Sequence, residues 1–261
     1  MIKKLTTIIL LLATTCSITY AKSLSPFSIN FMASFQTGPA NGFVQIPQGG
    51  QAGTTSYHLP TLNDLGIKHN NNYDFLLKLN WHKLTFYGGY QNIRPSGSNT
   101  LNKTIITHNV TIPAGSSISS KLTLDWARIG AQYNFSPNNK WSIAPQLEAA
   151  MMDFDYRIPN YIAPRHFIPS AVRAGIYSNY NINNKFAIDG DAATAIPLFH
   201  LNITTVNLRL KYNLLAKSNF TTQIFAGAGY LYIRFKDKQP TPNHILYKQP
   251  LFQAGLILSY T

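Results

Sequence analysis

The chain has 261 residues, with 22 Lys and Arg against 9 Asp and Glu, a formal net charge of +13. Charged residues make up 12% and aromatic residues 13% of a chain that is 45% hydrophobic, which excludes a disordered polypeptide. A single Cys excludes a disulfide framework and any cysteine-based zinc site, and the lack of a long apolar run after the first twenty residues excludes a helical membrane protein.

Residues 1–21 read as a secretory signal peptide. Lys3 and Lys4 supply the positive start, residues 5–13 the apolar stretch, and Thr19-Tyr20-Ala21 a small-x-small cleavage site. The apolar stretch is too short to anchor the chain in a bilayer. A lipoprotein signal acylated at Cys16 is the rival reading, but Thr15 is bulky for the position before such a cysteine. Cleavage after Ala21 leaves a cysteine-free chain, suited to an oxidising compartment. Residues 22–261 then form one domain.

Alternation of apolar and polar residues dominates that domain. It runs through residues 27–36, 73–81, 84–90, 127–135, 141–151, 172–180, 186–198, 206–214, 220–232 and 252–260. Successive side chains on a strand face opposite sides, so each run has one apolar and one polar face. This predicts about ten strands, most near the 9–11 residues that cross a bilayer when tilted; eight or twelve remain open. Residues 82–83, 136–140, 181–185 and 216–219 are short polar turns rich in Asn and Ser. Longer links lie between them at residues 37–72, 95–120, 159–167, 199–202 and 236–244. Short turns at one end and long links at the other point to an up-and-down barrel, the short turns facing the periplasm.

A soluble sandwich or lipocalin-like barrel would turn its apolar face inward. Charge placement argues for lipid outside instead. Asp74, Lys78, Arg128, Glu148, Arg173, Asp189, Asp191, Arg209 and Lys211 fall on the polar face, five basic against four acidic, and the apolar face of the runs carries none. Trp81, Phe135, Trp141, Tyr180, Phe186, Tyr212, Phe220 and Tyr260 flank the short turns, as an interfacial girdle requires. The expected fold is therefore all-β, a transmembrane antiparallel up-and-down β-barrel. With its signal peptide, its ten alternating runs and a final run placing Leu256, Leu258 and Tyr260 on one face, the chain resembles the small outer-membrane β-barrel proteins of Gram-negative bacteria. It departs from them in ending on Thr261. The resemblance implies insertion by the barrel assembly machinery and contact with outer-membrane lipids and lipopolysaccharide.

Ten strands sit near the narrow end of barrel sizes, where side chains fill the interior. The nine charges, with Tyr87, Tyr177, Gln132, Gln146 and Gln223 beside them, are expected to line the lumen as an ionic plug, or at most a narrow passive pore. Catalysis is not expected. Omptin-type outer-membrane proteases use acidic and Asp/His pairs at the rim, and Asp153, Asp155 and His200 sit near it, but no Asp-x-His pair exists in the chain. Ser170 and His166 are close in sequence with nothing to orient the base. No cofactor or metal is expected: no two histidines have the spacing that presents imidazoles together.

The long links carry the remaining signals. Leu59, Leu62, Leu65 and Ile67 in the first one read as a short ordered lid over the mouth, or as packing against the rim. Residues 105–112 alternate and are expected to extend the barrel as a hairpin. The expected extracellular rim holds His58, His69, His108, Arg165, His166, His200, Lys236, Lys238 and His244. Histidine titrates between pH 5 and 8, so acidification would strengthen a positive field there. That field suits the phosphates of lipopolysaccharide or an anionic host surface; nucleic acid is not expected, since an exported chain does not meet it.

Overall fold

A computed structural model describes residues 27–46, 59–138, 140–238 and 242–261. The expected signal peptide and His58 lie outside these residues. Fifteen strands follow in chain order: β1 (Phe27–Pro39), β2 (Asn41–Gln45), β3 (His69–Trp81), β4 (Leu84–Ile93), β5 (Ser96–Thr100), β6 (Ile105–Thr107), β7 (Val110–Ile112), β8 (Ser117–Tyr133), β9 (Trp141–Ile158), β10 (Ile162–Phe167), β11 (Ser170–Asn181), β12 (Phe186–Ala195), β13 (Leu201–Lys217), β14 (Phe220–Lys236) and β15 (His244–Tyr260).

Ten of them close into an antiparallel ring. Its order is β1-β3-β4-β8-β9-β11-β12-β13-β14-β15, and β15 pairs back onto β1 from Ile29↔Tyr260 to Thr37↔Phe252. Closure leaves no unpaired edge, the condition a sheet must meet to cross lipid. Eight and twelve strands are thereby excluded. The other five strands sit on the end that carries the long links: β2 pairs β15, β5 pairs β8, β10 pairs β9, and β6 with β7 forms the separate hairpin.

The opposite end is made of tight turns. His82 and Ser218 adopt left-handed conformations there, at φ 53° and 42°. Asn138 Oδ1 accepts hydrogen bonds from the backbone N–H groups of Lys140 and Trp141, and Asn183 Oδ1 from those of Lys185 and Phe186, all at 2.8–2.9 Å. Above these turns the outer face is apolar, with Ile129, Leu208 and Phe252 exposed at 70%, 60% and 71%. Aromatic pairs ring the short-turn edge: Trp141 with Tyr180, Phe186 with Tyr212 and Tyr133 with Phe135, at centroid distances of 4.9, 5.0 and 4.8 Å. This is the outer surface of a transmembrane barrel.

Several strands are longer than the 9–11 residues expected, reaching 17 in β8, β13, β14 and β15 and 18 in β9. Their excess length rises above the apolar belt, and there the two faces exchange character. On β9 the outward residues pass from Leu147 and Met151 to Asp153, Asp155 and Arg157, while the inward ones pass from Glu148 to Met152, Phe154, Tyr156 and Ile158. On β14 they pass outward from Ile224 to Tyr232, Arg234 and Lys236, and inward from Gln223 to Leu231, Ile233 and Phe235. Water replaces lipid around the upper barrel, so apolar side chains turn inward as in a soluble sheet.

Those inward residues form the hydrophobic core of the molecule, which lies in the upper lumen rather than at mid-barrel. The first link closes over it: Leu62, Leu65 and Ile67 are fully buried beside Val44, Ile46, Ile105 and Ile112, with Leu59 partly covered. Thr61 and Asp64 bond reciprocally, each backbone N–H meeting the other side chain, at 3.0 and 3.1 Å. Gly66 then reverses the chain at φ +75°, and an added Cβ there would meet the Ser98 carbonyl oxygen at 2.5 Å. A Cβ on Gly97 of β5 would lie 2.3 Å from Gly66, so the two glycines let lid and barrel backbones touch.

Candidate functional site

Below the core, the inward face is ionic. The nine charges named from sequence come from β3, β8, β9, β11, β12 and β13 and converge on one section of the lumen. Arg128 Nη2 binds both oxygens of Asp74, at 2.9 and 3.1 Å. Arg173 binds Glu148, which also accepts the Tyr87 hydroxyl proton at 2.9 Å. Arg209 spans Asp189, at 2.6 Å, and Asp191, two residues apart on β12. Lys211 joins Asp189 at 3.1 Å and the Asn179 side-chain oxygen at 2.6 Å.

Each carboxylate thus meets at least one cation, which offsets the cost of removing it from water. Trp126 separates this layer from the apolar core, with the Arg128 and Arg173 guanidinium groups 4.7 and 4.8 Å from its ring. Its indole N–H donates to Gln91, which donates in turn to Gln36. Lys78 has no carboxylate partner among the described residues; its ammonium lies 4.2 Å from the centre of the Tyr177 ring. A cavity of about 60 Å³ remains among these groups, lined by Lys78, Gln146, Arg128, Tyr177 and Asp191.

The rim residues do not form one cluster. His69 opens β3, 3.4 Å from the Thr37 hydroxyl. His108 is folded inward at the β6–β7 turn, its ring 5.8 Å from that of Tyr156. Burial and the neighbouring Arg165 hold His108 down at a pKa of about 4, below the window in which a rim sensor would titrate. Arg165 and His166 are exposed on β10, and His166 Nε2 lies 2.7 Å from Asp153 Oδ1. That pair sits on the outside of β9, where Asp155 is taken up by Arg157 at 3.0 Å; His200 is in the β12–β13 link. Lys236 and Lys238 are exposed at the end of β14, and His244 meets Phe43 edge-on at 4.8 Å.

Two groupings escaped the sequence reading. Asp125 faces outward on β8 yet is fully buried, holding Arg94 at 2.6 Å, Tyr90 at 2.6 Å and the Ile93 N–H at 2.8 Å. The second is a basic wall on the outside of β14 and β15. Tyr232 pairs with Lys248, Arg234 with Leu246 and Lys236 with His244, directly above Tyr230 and Phe252 of the apolar belt. Arg234, Lys236 and Lys248 have no ion-pair partner among the described residues, whereas the outward acids Asp125, Asp153 and Asp155 lie on β8 and β9. The signal for the wall was Tyr232, Arg234 and Lys236 at period two.

No protein-family model matches the chain, and no curated protein does. Solved structures that resemble it are outer-membrane barrels. The outer membrane protease OmpT from Escherichia coli is 10% identical over 92% of this chain and 99% of that one, with a TM-score of 0.46. The transport unit of the autotransporter AIDA-I from Escherichia coli is 10% identical over 97% and 96%, at 0.42. The attachment invasion locus protein Ail of Yersinia pestis, solved with a heparin analogue, is 11% identical over 88% and 99%, at 0.36. These likenesses concern the barrel fold alone.

Proposed function

We propose that this protein is exported to the outer membrane of a Gram-negative bacterium and works there as a closed barrel, holding a partner on its outer surface. The observation that carries this reading is the position of the hydrophobic core. It packs the lumen at the long-link end, above a layer of paired charges, which supports a barrel closed to solutes. The partner class is the phosphorylated glycolipid of the outer leaflet, lipopolysaccharide. Arg234, Lys236 and Lys248, without an ion-pair partner among the described residues, rise from the apolar belt where such a lipid would present its phosphates. Catalysis has no part in this reading.

Two measurements test it. Folded protein in a planar bilayer is expected to be electrically silent. Stepwise conductance would favour the rival reading, a narrow passive pore, which the cavity in the ionic layer supports. Binding to lipid A vesicles is expected to weaken about 10- to 30-fold in the double variant R234Q/K248Q, at roughly 1 kcal/mol per surface cation. Equal binding by both proteins would remove lipopolysaccharide as the partner of this wall, and an anionic host surface would then be the alternative.

A further inference from the structure

The ionic layer does not balance. It contains five cations and four carboxylates, and every carboxylate is engaged by Arg128, Arg173, Arg209 or Lys211. The surplus charge rests on Lys78. Its ammonium lies on the Tyr177 ring, 4.2 Å from the centroid, which replaces only part of the water it has lost. Lys78 also borders the cavity of about 60 Å³, and the Gln146 side chain, which makes no hydrogen bond among the described residues, borders it too. A charged donor and a free amide thus share a space with room for about four waters.

We propose that this cavity is a binding site for one small monovalent anion of halide size, held by Lys78 and Gln146. The anion would restore neutrality to the layer, and it would accept the hydrogen bonds that neither side chain makes among the described residues. Access comes from the short-turn end, where the inward side chains are amides and hydroxyls, among them Asn80, Thr85, Asn134 and Gln223. An ion entering there does not cross the apolar core, so the site is independent of whether the barrel conducts.

The test compares sodium chloride, sodium bromide and sodium gluconate at equal ionic strength, gluconate being too large for the cavity. Chloride and bromide are expected to raise the thermal unfolding midpoint of the folded barrel by about 2–4 °C over gluconate. The variant K78Q is expected to show no difference between the salts, and in gluconate to be at least as stable as the parent chain, since it removes an uncompensated charge. Crystals of the unaltered protein grown in bromide are expected to show anomalous density beside Lys78. Equal midpoints of the parent chain in all three salts, a halide effect that survives in K78Q, or a bromide-free cavity would each overturn the proposal.

Discussion

Arg173 and Glu148 are direct cross-strand partners between β11 and β9, and their charged ends bind each other while both side chains are buried. The other two guanidinium nitrogens are also engaged. Nε bonds the Ile203 carbonyl at 2.8 Å and Nη2 the Thr205 hydroxyl at 2.7 Å, which fixes β11 to β13 across β12. The pair therefore ties three walls of the barrel through one side chain.

Glu148→Gln is accordingly expected to cost about 3–5 kcal/mol, because it strands the Arg173 charge. The double variant E148Q/R173M removes both charges and is expected to recover much of that loss. Urea unfolding of the folded barrel, followed by tryptophan fluorescence, measures both. A single variant as stable as the parent chain would mean that water, not Glu148, balances Arg173.

The outer belt gives a second expectation. Leu77 and Leu208 are exposed at 39% and 60% on the apolar face, so an arginine at either is expected to cost about 2–4 kcal/mol near the bilayer midplane. The same change at Gln132, inside the lumen, is expected to be milder. Folding yields into lipid vesicles compare the three, and equal tolerance would argue that lipid does not cover this face.

A third expectation concerns acid. His108 is held at a pKa of about 4 in the folded protein against an ordinary 6.5. Between those values the unfolded chain binds more protons, so the stabilisation present above pH 6.5 is lost progressively as the pH falls toward 4. The hairpin is expected to loosen in acid, which proteolysis of the β6–β7 segment at pH 7.5 and 4.5 would report. His108→Asn keeps a residue suited to the left-handed turn, at φ 52°, and is expected to abolish most of that difference. Identical acid sensitivity in both proteins would place the titrating group elsewhere.

The alternation that defines the belt was legible because lipid on one side and a wet lumen on the other impose opposite demands on neighbouring residues. Leu208 and Arg209, or Leu147 and Glu148, can be assigned to their faces from the sequence with no knowledge of partners. The same rule, read only in that phase, stopped the predicted strands too early. Phe154 and Tyr156 face inward and Asp153 and Asp155 outward because β9 has left the lipid there, and the period continues with its sense reversed.

The amino-acid order by itself determined the strands of the belt, the short-turn end and the charges that point into the lumen, since each follows from the local period of two. Only the tertiary structure decided that Glu148 pairs with Arg173 rather than Arg128, that Lys78 meets no carboxylate among the described residues, and that Leu62, Leu65 and Ile67 close over the upper core. Those outcomes depend on register and ring closure, which bring together residues far apart in the chain, and a period carries no information about which distant strand its side chains will meet.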